Sequence, residues 1–139
     1  MFGRTSNFDL ALLLLRLASA AVFLFHGSQI LFGALEGPGP ARFAADLHAS
    51  AAIGYLVGLA EFCGGLAMLT GILTRIGALC IIVVMLGAIY KVHLHHGFDV
   101  RKGGIEHALT QLLIALALLL TGPGRYSLAS RLPAPVRKL

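Results

Sequence analysis

Side chains able to hold, orient or protonate a ligand fall at three places along this 139-residue chain, each at the edge of an apolar run. His26 and Gln29 come first, then Lys91, His93, His95 and His96, then Glu106, His107 and Gln111. Imidazole gives and takes protons near neutrality and can ligate metals. A carboxylate at Glu106 would serve as charge partner to a neighbouring imidazole. His107 and Gln111 are four residues apart, hence on one face of a helix, as are Lys91 and His95. Histidines at helix ends also occur simply as interfacial residues, which is the plainer reading for Lys91, His95 and His96. Bis-histidine haem ligation through His26 and His93 is conceivable by depth. The spacing of the histidines matches no metal-ligand motif, so neither haem nor a metal is expected.

The runs that carry these groups are long and greasy. The chain is 58% hydrophobic and 12% charged, against about 45–50% apolar and ~25% charged in ordinary soluble domains. That excess predicts an all-α integral membrane protein: a single domain over residues 1–139, a bundle of four transmembrane helices with short loops. The spans are read at about 10–34, 51–73, 76–94 and 104–121, near the ~20 residues that cross a bilayer. Ala18-Ser19-Ala20 resembles a signal-peptide cleavage site, but the apolar run continues well past it, so it is read as a span. Gly37-Pro38-Gly39-Pro40 stops the first helix. A short amphipathic segment then places Phe43, Leu47 and Ala44 on one face, suited to lying at the membrane surface. The connection at Thr74-Arg75 is so tight that the second and third spans must be antiparallel neighbours.

A net charge of +5, from 11 Lys and Arg against 6 Asp and Glu, sits in loops and tails. Beside apolar spans such charge marks topology and anionic lipid rather than nucleic acid, so no nucleic-acid partner is expected. One side carries Arg4, Arg75, Arg125, Arg131, Arg137 and Lys138, the other Arg42, Arg101 and Lys102, six against three, which predicts that both termini are cytoplasmic. Cys63 and Cys80 lie within spans and are read as small packing residues.

Two charges lie deep inside the spans, away from their ends, where each costs about 2.5–3.5 kcal/mol unless partnered. Arg16 and Glu61 fall ~9 Å and ~15 Å into their spans from opposite ends, so a structural ion pair between them is expected. Gly54, Gly58, Glu61 and Gly65 share one helical face, and Gly54-x-x-x-Gly58 is the spacing at which helices approach closely.

The order of these features resembles the DoxX family of small four-helix membrane proteins. The carrying segments are LLLLRLASAAVFLFHGSQILFG (12–33), LVGLAEFCGGLAMLTGILTR (56–75), VHLHHGF (92–98) and GGIEHALTQLLIALALLLTGPGRYSL (103–128). At Ile30 the chain departs from a lysine common in the family. Relatives include the DoxD subunit of a thiosulfate:quinone oxidoreductase and membrane partners of detoxification and sulfur-transfer enzymes. The resemblance therefore implies a membrane subunit of a redox system that binds quinone or a similar lipid-soluble acceptor in the outer half of the bundle. It would work with a soluble or membrane redox partner in the bacterial inner (plasma) membrane, and a homo-oligomer is left open. The residues are compatible with this. His26, Gln29, Glu61, His93, Glu106, His107 and Gln111 are the candidate binding residues, with Phe25, Phe32 and Tyr90 lining an apolar cleft. The alternative is a non-enzymatic membrane scaffold or small-molecule permeation protein whose buried charges are structural.

Overall fold

The computed structural model describes residues 4–133 and 135, with side chains from residue 7 onward. The sequence-predicted charges Arg137 and Lys138, the Leu139 terminus and the side chain of Arg4 lie outside it. Among the described residues all regular structure is helical, with no strand.

Helix α1 runs Arg4–Phe32, α2 Gly39–Asp46, α3 Ala51–Thr70 and α4 Thr74–Ala88, and α5 runs Glu106–Thr121. Leu- and Ala-rich sequence makes each main helix, and α1, α3 and α4 with its continuation to His96 are apolar and long enough to cross a membrane. Helix α5 has 16 residues, ~24 Å, short for a ~30 Å hydrocarbon core. Large apolar side chains point outward on all four, among them Leu14, Leu56, Val83 and Leu120. Lipid is the solvent that such a surface requires. Pro38 and Pro40 do not themselves end α1, which stops at Phe32; they open α2, with Pro in its first turn where a missing N–H costs nothing.

Helices α1 and α3 are antiparallel and in intimate contact. A Cβ on Gly27 would meet the backbone of Phe62 at 2.5 Å, one on Gly58 would meet Leu31 at 3.0 Å, and one on Gly65 would meet Leu24 at 2.8 Å. From Gly58 to Gly65 the expected small-residue face of α3 is thus the α1 interface, with Glu61 buried on it, whereas Gly54 on the same face packs against Pro40 of α2. Helices α3 and α4 are the expected antiparallel neighbours, meeting where Gly64 faces Ile81 and Gly77 faces Ala67. Phe23, Met68, Ala78, Ile81, Ala115 and Leu118 form the centre of the apolar core.

The same register separates Arg16 from Glu61. Contacts pair positions 24 with 65, 27 with 62 and 31 with 58, so Glu61 lies level with about residue 28, some 12 residues or ~18 Å along α1 from Arg16. The expected ion pair does not form. Arg16, 1% exposed, instead donates from Nε to the Met68 carbonyl (2.9 Å) and from Nη2 to Leu69 (3.0 Å). From Nη1 it donates to the Pro123 and Tyr126 carbonyls at 3.0 and 2.8 Å. Met68 and Leu69 are among the last carbonyls of α3, which no helical N–H can reach, and a cation there also complements the helix dipole. Two turns earlier on α1, Asp9 accepts the backbone N–H of Arg125 at 2.9 Å and pairs with its guanidinium at 3.7 Å. Asp9 and Arg16 together fasten the Gly122–Tyr126 loop to α1.

Candidate functional site

At the end of the bundle remote from Arg16, a cavity of about 390 Å³ opens among α1, α2, α3, α4 and α5. Its polar lining consists of His26 from α1, Glu61 from α3, Lys91 and His93 from the turns that prolong α4, and His107 from α5. Its apolar wall includes Val22, Phe23, Ile30, Val57, Val84 and Met85. Four of the seven predicted binding residues are therefore brought together, by four different segments.

Each is placed by an identifiable local device. Close packing at Gly27 and Gly58 brings α1 against α3, so that His26 and Glu61 open onto one space. The carboxyl of Glu61 is 6% exposed, and its Oε2 has no hydrogen-bond partner within the described protein. The rings of His26 and His107 lie 6.3 Å apart between centroids. Helix α4 passes into a π-helical turn over Ile89–His93, a wider turn often found at functional sites. Lys91, Val92 and His93, consecutive in sequence, all reach the cavity from it.

His93 is oriented from outside. Its Nδ1 lies 2.6 Å from the Gly103 carbonyl oxygen; a carbonyl can only accept, so Nδ1 carries the proton and Nε2 is the nitrogen left for a ligand. The carbonyl is itself fixed by a tight loop. Ile105 and Glu106 donate backbone N–H groups to Gly97 and Phe98, and Gly104 sits where a Cβ would strike Phe98.

Glu106 is part of that loop rather than of the cavity. Its Oε2 accepts the Val100 N–H at 3.0 Å, so it positions His93 through the loop and is not a charge partner of the cavity imidazoles. Asp99 caps the next turn, accepting the Arg101 N–H at 2.9 Å and pairing with its guanidinium at 2.9 Å. These bonds hold the Asp99 carboxyl below its usual range. Gln29 and Gln111 also lie outside the cavity lining. Gln29 reaches the Leu35 carbonyl at 3.5 Å, while Gln111 is buried on α5 with its Oε1 unpartnered. Phe25, Phe32 and Tyr90 do not line the cleft; all are exposed, Phe25 edge-on to His26 and Phe32 edge-on to Phe62. The aromatic lining comes instead from Phe23 and Phe43, among Val, Ile, Leu and Met side chains.

Two features of the site were not foreseen. Lys91 lines the cavity from the π turn, where its place at the end of a span suggested only an interfacial residue. Helix α2 lies across the cavity mouth: Phe43 and Leu47 line it, Ala44 is fully buried, and Gly54 meets the Pro40 carbonyl so closely that only glycine fits. The amphipathic face was legible, and the structure packs it on the bundle. Among the described residues no three His, Cys, Asp or Glu side chains cluster to hold a metal.

The family model named DoxX matches residues 11–94, from the first span through Leu94. The chain belongs to the DoxX family. That match covers His26, Glu61, Lys91 and His93, while His107 lies beyond it. An uncharacterized membrane protein of Mycobacterium tuberculosis is 36% identical over 129 residues, covering 85% of this chain and 78% of the relative. A Bacillus subtilis protein named "Putative oxidoreductase CatD" is 29% identical over 116 residues, covering 84% of this chain and 82% of that protein. No solved structure matches the chain. Family and apolar helices together make this DoxX chain a membrane protein.

Proposed function

We propose that this DoxX protein is the membrane subunit of a redox system, and that its cavity binds a quinone or similar lipid-soluble acceptor. The observation that carries the reading is the convergence of His26, Glu61, Lys91, His93 and His107 on one apolar cavity. Its volume falls within the ~300–1,000 Å³ usual for small-molecule sites. An apolar ring and tail suit the Val, Ile and Met wall, and two carbonyl oxygens require donors, which imidazoles and an ammonium supply. The unpartnered Glu61 oxygen, 6% exposed, fits a site completed by a polar ligand. His26 and His107, close together at the mouth, are able to hold or pass a proton to a bound oxygen. A bound quinone would supply the two-electron chemistry; the protein's contribution is to bind, orient and protonate. No cysteine pair and no dinucleotide-binding glycine motif occurs in the sequence, so electrons come from a partner oxidoreductase, a sulfur-transfer protein or a small-molecule donor. The name of the Bacillus subtilis relative supports a redox role.

Lipid extracts of the protein purified from native membrane test the reading. Quinone is expected to co-purify with wild type. His26→Ala and His93→Ala should each weaken binding of an added quinone analogue roughly 2- to 12-fold, the value of one hydrogen bond. His48→Ala, in the α2–α3 connection, should leave it unchanged. Undiminished analogue binding by both cavity variants would overturn the assignment.

A further inference from the structure

A second concavity lies at the opposite end of the bundle and has a different chemistry. It is a groove of about 330 Å³ between α1, the C-terminal end of α3 and the segment after α5, lined by Arg16, Arg125 and Arg131 with Thr70, Ser127 and Ser130. Leu13, Leu69 and Leu128 complete its walls.

Among the described residues its cations outnumber the anions beside them. Arg16 is 1% exposed, and its four partners are neutral carbonyls, with no carboxylate within salt-bridge distance among the described residues. Four bonds occupy four of the five guanidinium N–H groups, leaving one. Asp9 is the sole carboxylate paired with this group of arginines among the described residues, and it meets Arg125 at 3.7 Å while that side chain remains 80% exposed. Three positive charges against one negative leave the groove with an excess of two. The hydroxyls do not change this: Thr70 Oγ1 donates to Leu66, Ser127 Oγ to Gly124 and Ser130 Oγ to Ser127, so their protons are committed to backbone carbonyls. What remains for a ligand is guanidinium charge, and the ligand that it selects is an oxyanion.

We propose that this groove binds a phosphate oxyanion, that of an anionic phospholipid headgroup. The lipid source is favoured over free phosphate by the surroundings. The groove lies where α3 ends at Thr70, at the margin of a membrane-spanning helix. Leucines form its sides, and Tyr126 and Leu128 are about half exposed beside it, the composition of a membrane interface. A phosphate seated there supplies the counter-charge that Arg16 lacks, and acyl chains continue along the leucine walls. This site is independent of the far cavity and its ligand.

The test uses the full-length protein in detergent and native mass spectrometry with added phosphatidylglycerol or phosphatidylcholine. Arg16 is unsuitable for substitution because it supports the fold. Arg125→Gln with Arg131→Gln removes two exposed charges while the Arg125 backbone N–H stays on Asp9. Each surface arginine near an anionic lipid is worth about fivefold in affinity, so the pair should cost ~25-fold for phosphatidylglycerol. Phosphatidylcholine should bind more weakly to wild type and change little in the variant. Arg75→Gln, at the same end but outside the groove, should behave as wild type. Unchanged circular dichroism shows that the doubly substituted protein is folded. Equal binding of the two lipids by wild type, or undiminished phosphatidylglycerol binding by the double variant, overturns the proposal. Displacement of phosphatidylglycerol by millimolar inorganic phosphate overturns the lipid source in favour of free phosphate.

Discussion

Arg16 and Glu61 are the two charged side chains that a hydropathy reading would join, and the fold gives them separate tasks. Arg16 closes the C-terminal end of α3 and ties the post-α5 loop to α1 through four carbonyl bonds. Arg16→Met removes all four and leaves four carbonyls without their partner, one of them, that of Met68, buried, so a loss of about 3–5 kcal/mol is expected in detergent unfolding. Arg16→Lys should recover little of it, because a single ammonium cannot span carbonyls that a guanidinium fork reaches together. Glu61→Gln keeps the shape of the side chain and should cost far less. Because the two groups are not paired, their effects should add: a double-mutant cycle should give a coupling within about 0.5 kcal/mol. A larger coupling would restore the ion pair that charge alone suggests.

At the scale of elements, glycine decides where helices touch. Gly27→Ala places a methyl 2.5 Å from the Phe62 backbone, which cannot yield as a flexible side chain can. We expect it to destabilise the α1–α3 contact by about 1–3 kcal/mol. Gly87→Ala, with no atom within 4 Å of the added methyl, should be neutral or gain about 0.5–1 kcal/mol from helix propensity. Thermal unfolding in detergent ranks the two, and equal effects would remove the close-packing argument. The 97–106 loop is the second such element. The Asp99 carboxyl is held low by Arg101, so its anchoring is complete at neutral pH. The anchoring is lost only as pH falls through that lowered value, beneath the usual ~3.9. An NMR titration of the Asp99 carboxyl carbon should place its midpoint below 3.9, and Arg101→Gln should move it upward. Glu106→Gln should disturb this loop and the tautomer of His93 rather than remove a direct ligand contact.

For the whole molecule, we propose that all four main helices cross the membrane, so that the start of α1 and the segment after α5 share one side, and the basic excess there predicts that this side is cytoplasmic. Cysteines introduced at His48 and at Lys102, in a background lacking Cys63 and Cys80, should be labelled by a membrane-impermeant maleimide added outside intact cells. A cysteine at Ser130 should be labelled only after permeabilisation. The reverse pattern would turn the cavity toward the cytoplasm. With the predicted orientation, the cavity opens in the outer leaflet and the arginine groove faces the inner one, where anionic headgroups meet a basic surface.

The sequence by itself determined the class of solvent, the number of helices, the small-residue face of α3 and the gathering of histidines at one end. Each of these follows from periodicity or composition, which are local quantities. Depth was the first thing it could not determine. Arg16 and Glu61 looked within reach of each other because their depths were counted from assumed span ends, whereas the real register is set by Gly27 against Phe62 and Gly58 against Leu31. The side on which a group faces was the second. Glu106 and Gln29 lie beside cavity residues in the chain yet turn to loop backbone, because unpaired N–H and C=O groups near a membrane surface take the nearest partner. Lys91 lines the cavity from the π turn that prolongs α4, a departure from helical geometry that hydropathy does not mark. Tertiary structure alone decides such matters, since they depend on which distant backbone a side chain meets, and no local pattern encodes that meeting.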